Sequence, residues 1–340
     1  MKNIIVTGGN GFIGSNLVSF LIKKKFFVIN IDYNKYSNGS YLLNQINKKN
    51  YKFFKIDLNE KKIFNILSLY KPEAIFNLAA ETHVDRSIDS PKDFIRSNIL
   101  GTFNLLEQIR KYKKKFRKKI KLVHVSTDEV YGDLANSISS KESSPYKPSS
   151  PYAASKASAD HIIKAYARTY KIETVISNCC NNYGPGQFPE KLIPTLIFNI
   201  LNNSTLPIYG KGKNSREWIH VEDHCKGLFA IFKKGKHGES YNIGTGVNIS
   251  NLNLTKILLK IVSRKYKIGK KVKIKFVKDR PGHDLRYAIN SEKIRKTLNW
   301  HPTKTFKIGL KETFEWYLEN KKFFNFFSKK KFFKRLGLNS

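Results

Sequence analysis

Two short stretches of this chain carry side chains that can move protons to and from a carbon-bound oxygen. Tyr152 and Lys156 stand four residues apart, so on a helix they share a face. A cationic Lys156 is expected to lower the Tyr152 phenol from its ordinary value of about 10. The phenol could then take a hydroxyl proton while hydride leaves the same carbon. Tyr-x-x-x-Lys recurs by chance in a lysine-rich chain. Its weight here comes from Val125-Ser126-Thr127, which ends an apolar run with a hydroxyl, and from the helix-start residues Pro148, Ser149, Ser150 and Pro151. Asp128 and Glu129 follow Thr127 directly. Oxidation or epimerisation needs only the tyrosine and a hydroxyl. An added acid and base point to proton abstraction with expulsion of a poor leaving group, which is dehydration. Neighbouring carboxylates split their ionisation, one protonated to donate and one ionised to accept. Their Cα atoms, about 3.8 Å apart, suit work on adjacent carbons. The competing reading is an exposed acidic turn.

A chain doing such chemistry needs a hydride carrier. Gly9-x-Gly11-x-x-Gly14, overlapped by Gly8-x-x-Gly11-x-x-Gly14, lies between an N-terminal apolar run (residues 3–7) and a helix-like stretch. Glycines there permit a tight turn and let the backbone reach a pyrophosphate at a helix N-terminus. Asp32 ends the next apolar run, 18 positions after Gly14, where an acid binds ribose hydroxyls and repels a 2′-phosphate. NAD is expected over NADP. Asp57 and Leu58, after a third run, are candidate adenine contacts, although a strand-end aspartate is often a turn former.

The elements that must hold these residues alternate. Strand-like runs at 3–7, 26–31, 52–56, 74–78, 121–126 and 174–177 are separated by helical stretches, among them 93–113 and 151–170. Buried apolar strands alternating with helices imply an α/β fold with a Rossmann-type doubly wound parallel sheet. Beyond about residue 183 glycine, proline and asparagine punctuate shorter elements. The expected division is a nucleotide-binding domain carrying the catalytic residues over 1–182, a smaller α/β substrate domain over 183–320 and a basic, aromatic tail over 321–340.

Composition narrows the class. Of 340 residues, 40% are hydrophobic and 13% aromatic, which is globular and not disordered. No apolar run is long enough to span a membrane. The start leads straight into a strand, leaving no room for a signal peptide. Three cysteines (Cys179, Cys180, Cys225) make neither a disulfide framework nor a zinc spacing. A reducing cytosol and no metal are expected. The net charge of +37 could denote nucleic acid, an anionic membrane or anionic substrates. Its basic residues are spread along the whole chain without a nucleic-acid-binding signature, so it reads as compositional drift. Phe323, Phe324, Phe326, Phe327, Phe332 and Phe333 interleave with lysines in the tail. An extension covering its own domain is preferred there over salt-sensitive attachment to anionic membranes.

Taken together the motifs resemble the dTDP-glucose 4,6-dehydratases, within the extended short-chain dehydrogenases, from Val6-Thr-Gly-Gly-Asn-Gly-Phe-Ile-Gly14 to about Leu318. The similar stretches include Leu78-Ala-Ala-Glu-Thr-His-Val-Asp-Arg-Ser87, Ser126-Thr-Asp-Glu-Val-Tyr-Gly132, Ser149-Ser-Pro-Tyr-Ala-Ala-Ser-Lys-Ala157, Asn181-Asn-Tyr-Gly-Pro185, Phe188-Pro-Glu-Lys-Leu-Ile-Pro194, Leu206-Pro-Ile-Tyr-Gly210 and Asp279-Arg-Pro-Gly-His283. Related epimerases lack the Asp-Glu pair. The resemblance implies that Tyr152 deprotonates the C4 hydroxyl, assisted by Thr127 and Lys156, that Glu129 removes the C5 proton and that Asp128 protonates the departing C6 hydroxyl. It implies NAD contacts at Gly8, Gly11, Phe12, Ile13, Gly14, Ala79, Ala80, Ser97 and Asn182. Glu81 and His83 fall near the sugar. Asn181, Lys191, Leu192, Pro207, Ile208, Tyr209, Arg216, Asn248, Asp279, Arg280 and His283 fall around the nucleotide diphosphate, where Arg216 and Arg280 could hold phosphate bidentately. Without the resemblance, Arg280 could equally be an ion-pair partner, Tyr209 ordinary core and His83 a satisfied structural histidine. Ser97 stands for a usual Thr, Cys180 for a common Ser, and Glu217 and His220 for a common Asp and Tyr. A homodimer through the helices at 93–113 and 151–170 is also implied. Two other readings stay open: a UDP-sugar epimerase, decarboxylase or dehydratase, and a non-catalytic NAD- or nucleic-acid-binding protein.

Overall fold

The computed structural model describes residues 2–34, 39–135 and 138–326. Seven strands form one parallel sheet: β1 (Asn3–Thr7), β2 (Phe27–Asp32), β3 (Tyr51–Lys55), β4 (Ala74–Asn77), β5 (Lys121–Thr127) and β6 (Thr174–Cys179), joined by the later β10 (Ser240–Ile243) in the order β10-β6-β5-β4-β1-β2-β3. Strand β7 (Asn181–Tyr183), β8 (Leu206–Tyr209) and β9 (Ser215–His220) come between, and β11 (Asn248–Ser250) and β12 (Ile274–Val277) after. They make two small sheets, β11-β9-β7 and β12-β8.

Side chains on β1 alternate across the large sheet. Ile4 and Val6 enter one apolar layer with Leu17 and Val18 of α1 (Phe12–Lys23), whereas Ile5 enters the opposite layer. That second layer holds helices α3 (Ile63–Tyr70), α6 (Gly101–Phe116) and α7 (Pro151–Tyr170); α2 (Gly39–Leu43), α4 (Val84–Asp89) and α5 (Pro91–Phe94) are short. A strand buried on both faces is apolar over most of its length, and the polar residues it does carry, such as Asn77 and His124, are buried with partners. The expected helix over 93–113 is interrupted: residues Ile95–Leu100 form a π-helical turn before α6.

The first sheet does not end where the alternation weakens near residue 183. After α8 (Leu192–Leu201) and α9 (Val221–Lys234), the chain returns to pair β10 with β6, Tyr241 opposite Ser177. A third core gathers α8, α10 (Asn251–Val262) and α12 (Phe306–Glu319), with α11 (Glu292–Leu298) packed against the first sheet's layer. The tail does not separate at 321. Phe323 and Phe324 are buried in the third core, and Phe324 stacks on Tyr317 with ring centroids 5.1 Å apart. Phe323 also meets Trp316 and, across the fold, Tyr41 of α2. Phe327, Phe332 and Phe333 lie outside the described residues. Among the described residues no helix is long and apolar enough to cross a membrane.

Candidate active site

The C-terminal ends of the parallel strands open on a cleft of about 610 Å3, within the range of small-molecule sites. Gly8, Gly11, Phe12, Ile13, Gly14, Asp32, Asp57, Leu58, Ala79, Ala80, Ser97, Tyr152, Lys156 and Asn182 all line it, as do Glu81, His83, Thr127, Asp128, Glu129, Asn181, Lys191 and Leu192. Two glycines show why the entrance to α1 admits a dinucleotide. Gly8 has φ +70° and a Cβ there would sit 2.6 Å from the Ala79 nitrogen; a Cβ on Gly14 would sit 2.1 Å from the Gly8 oxygen. The strand end and the helix start touch backbone to backbone, leaving the helix N-terminus bare toward the cleft. The Asp32 carboxylate is fixed by two backbone N–H groups, Asn10 N at 2.9 Å on Oδ2 and Asn34 N at 2.6 Å on Oδ1. Burial raises its pKa while those two bonds pull it down. These residues fit NAD: a glycine turn, a bare helix end and an oriented acid at the end of β2. Asp57 also binds its own turn, accepting from Asn59 and paired with Arg96.

Tyr152, Lys156 and the acidic pair converge because β5 ends where α7 passes. Thr127 caps a short 3-10 turn (Asp128–Tyr131), accepting from the Glu129 N–H at 3.3 Å, and its hydroxyl lies 3.3 Å from Asp128 Oδ1. Ser150 caps α7 by accepting from the Ala153 N–H, with Pro151 at the first helical position. The acidic pair is no exposed turn. Asp128 Oδ2 and Glu129 Oε2 are both buried without a hydrogen-bond partner.

Both acids are raised, against different opposition. Asp128 is pushed well above the ordinary carboxylate value by burial, then by Glu129 and Glu217, with Arg216 opposing. Glu129 is also raised by burial, but Arg280, Arg216 and Lys191 all pull it back. Three cations thus favour the Glu129 anion, whereas two carboxylates work against that of Asp128.

The expected effect of Lys156 on Tyr152 is not what the structure has. Burial raises the Tyr152 phenol well above 10, and Glu129 raises it further; the opposing influence is a hydrogen bond with Thr127. Lys156 points elsewhere, donating to the Val125 carbonyl at 2.7 Å and lying 3.3 Å from His124 Nε2. Helical i,i+4 spacing placed both residues on one face but did not make their polar atoms meet.

The remaining expected substrate residues form a second group, outside the cleft lining. Tyr209 donates to Asp85 Oδ2 at 3.2 Å, Arg280 pairs with Asp85 Oδ1 at 2.5 Å, and His283 lies 2.6 Å from Asp279 Oδ1. Burial depresses His83 to about 3 and His283 to about 4, so both are neutral. The two arginines expected to hold phosphate have partners within the chain, although Arg280 Nε is buried with none. Arg216 donates to the carbonyls of Ser215, Asp284 and Leu285 and lies over the Tyr287 ring, while Arg280 holds Asp85. Asn248 donates to the Tyr287 carbonyl, Ile208 is fully buried, and Pro207 lies beside it on β8, opposite Lys275. Two substituted positions are structural. Glu217 accepts from the Gly246 and Ile289 N–H groups, and His220 caps α9.

Several residues at or behind the site were given no role by the sequence. Arg86 and Glu190 form an ion pair in the cleft wall. Asn98, in the π-helical turn, accepts from the Glu81 N–H and donates to the Glu81 carbonyl and to Ser155 Oγ. Asparagine is a poor residue for a helix interior, and that misfit was the one available hint.

The family model described as GDP-mannose 4,6 dehydratase matches residues 5–313. A dTDP-glucose 4,6-dehydratase of Neisseria gonorrhoeae is 45% identical over 334 residues, covering 94% of this chain and 96% of its own. The crystal structure of DesIV, a dTDP-glucose 4,6-dehydratase of Streptomyces venezuelae with NAD and TYD bound, is 41% identical with a TM-score of 0.86, covering 94% of this chain and 98% of that one. The dTDP-glucose 4,6-dehydratase of Bacillus anthracis in complex with NAD is 40% identical with a TM-score of 0.85, covering 95% and 98%. With a buried acid pair and a tyrosine lining one dinucleotide cleft, and with relatives alike over nearly their whole length, the chain belongs to the dTDP-glucose 4,6-dehydratase family of extended short-chain dehydrogenases.

Proposed function

We propose that this protein is an NAD-dependent sugar-nucleotide dehydratase that converts dTDP-glucose to dTDP-4-keto-6-deoxyglucose and water. The observation that carries the reading is the pair of carboxyls, Asp128 and Glu129, each with a buried oxygen left without a hydrogen-bond partner in the cleft that Tyr152 also lines. When bound, NAD⁺ supplies a cationic ring and an acceptor for the C4 hydride, which is returned to C6 in the same turnover. Tyr152 takes the C4 hydroxyl proton, with the Thr127 hydroxyl as its partner and Lys156 set one helical turn away. A ketone at C4 acidifies the C5 hydrogen, and Glu129, the carboxylate that Arg280, Arg216 and Lys191 favour as an anion, removes it. Asp128, held protonated by burial and by its neighbour, gives its proton to the C6 hydroxyl as water leaves. Residues 183–320 supply most of the nucleotide-binding wall, opposite the NAD-binding strands of 1–182. Two copies associate through α6 and α7, whose side of the molecule exposes Ile95, Leu100, Phe103 and Tyr170.

Incubation with dTDP-glucose and with UDP-glucose, read as loss of one water by mass spectrometry, tests the reaction. In deuterated water Glu129→Gln should block C5 exchange and water loss, whereas Asp128→Asn should keep exchange and slow elimination. Wild-type C5 exchange in Glu129→Gln overturns these roles.

A further inference from the structure

Beneath the catalytic helix lies a buried polar chain that the reaction as described leaves unused. It begins at Thr7 on β1, whose hydroxyl accepts from the Ala79 N–H at 3.4 Å and donates to Asn77 Oδ1 at 2.6 Å. Strands β4 and β5 pair Asn77 with His124 in register, and Asn77 Nδ2 meets His124 Nδ1 at 3.0 Å. With its oxygen engaged by Thr7, Asn77 presents a donor to His124. The single proton of a neutral His124 ring therefore resides on Nε2. That nitrogen lies 3.3 Å from Lys156 Nζ and 3.5 Å from Asp160 Oδ1.

Asp160 follows Lys156 by four residues on α7, as Lys156 follows Tyr152. It is completely buried. Its Oδ2 accepts from Ser126 Oγ at 2.7 Å and from Tyr146 OH at 3.0 Å, while Oδ1 has no hydrogen-bond partner and faces the His124 ring. Lys156 is itself buried and lines the cleft, with the Val125 carbonyl accepting from it. A buried ammonium without a counter-charge sheds its proton.

We propose, resting on the dehydratase reading, that His124 and Asp160 are positioning residues for Lys156. The Asp160 carboxylate, acting across the His124 ring, supplies the counter-charge that keeps the Lys156 ammonium protonated and fixed at the cleft wall.

Lys156 has His124 on β5, Asp160 and Tyr152 on α7 and Cys179 on β6 around it; Asp160 has Tyr146, Lys164 and Tyr131 besides, and burial raises its own pKa against Lys156, the foremost charge lowering it. Burial lowers the Lys156 pKa, and Asp160 is the foremost group raising it again. Asp160 is the foremost charge acting on Lys156 and is not one of the foremost acting on Tyr152. Removing the Asp160 charge should therefore move the lysine more than the phenol.

The test is the pH dependence of two quantities in the full-length protein: NAD⁺ affinity of the cofactor-free form, and kcat with dTDP-glucose. In Asp160→Asn the alkaline fall of both should move to lower pH by about one unit, a tenfold change in the ionisation constant. The acid limb should stay, as should KM for the sugar nucleotide. Asp160→Glu should return part of the shift, which loss of packing alone does not predict. His124→Gln, which keeps a hydrogen-bonding side chain but breaks the bridge, should shift the limb in the same direction and serves if Asp160→Asn does not fold. An alkaline limb at the wild-type position in a folded variant overturns the proposal. Wild-type protein that binds NAD⁺ but dehydrates no sugar nucleotide overturns the dehydratase reading instead, and the binding limb still decides the role of Asp160.

Discussion

Asp128 should weaken the fold that holds it, and Asp128→Asn measures by how much. The residue is 2% exposed, one of its carboxyl oxygens has no partner, and the foremost charge acting on it is another carboxylate. Its pKa in the folded state lies well above the ordinary 3.8. Below that ordinary value both folded and unfolded chains carry the proton, and the group costs nothing. As pH rises through the gap between the unfolded and folded values, the unfolded chain releases its proton first, and the folded state loses relative stability until the folded pKa is passed. Asparagine has the same shape and no such titration. Each unit by which the folded pKa stands above the unfolded one costs about 1.4 kcal/mol once pH has passed both. Asp128→Asn stays a buried polar group but does not titrate, so it should gain at least about that amount on wild type between pH 4 and pH 8, the gain shrinking toward zero as pH falls to about 4. Denaturant unfolding of both proteins at several pH values reads the difference. A variant less stable at pH 8, or a difference that does not change with pH, would refute the claim that Asp128 is buried at a cost.

Three further outcomes are expected. Asp32→Ala should narrow the preference for NAD over NADP, since it removes the carboxylate oriented by Asn10 and Asn34; equal affinities in the wild type would sink the assignment. Truncation to residues 1–320 should cost several kcal/mol, because burying each of Phe323 and Phe324 contributes about 1.5–3 kcal/mol, and denaturant midpoints read it. Vesicle co-sedimentation of the same pair separates this packing from membrane attachment: a low-salt, vesicle-dependent loss of the full-length chain alone would favour the membrane. The proposed association of two copies predicts that Phe103→Glu, which places a charge on the exposed side of α6, sediments as a smaller particle than wild type in sedimentation velocity, and an unchanged particle size would exclude that face as the contact.

Much of the cleft could be read from local patterns. The glycine turn, Asp32 and the Thr127–Glu129 stretch each occupy a strand end, and in an open parallel sheet strand ends converge on one crevice. What escaped reading depends on which side chains meet across elements. Asn77 faces His124 only because β4 and β5 pair in that register. Asp85 and Arg280 form their ion pair across 195 residues of sequence. The expected pull of Lys156 on Tyr152 failed for the same reason: spacing fixes a face, whereas burial and a nearby carbonyl decide where an ammonium rests. The π-helical turn at 95–100 was hidden because its period differs little from that of the helix around it.

The late return of β10 to the large sheet has a consequence for biosynthesis. As the chain leaves the ribosome, β6 offers a bare edge of backbone donors and acceptors from residue 174 onward, and its partner is not made until residue 243. Everything between, including β7, β9 and α9, emerges while that edge stands open. An unpaired edge strand is a template for the wrong partner, and such distant pairing slows folding. The pairing of β10 with β6 thus stitches the later part of the chain into the first sheet. A fragment ending at 182 would retain the glycine turn and the tyrosine yet expose β6, and aggregation is its expected fate.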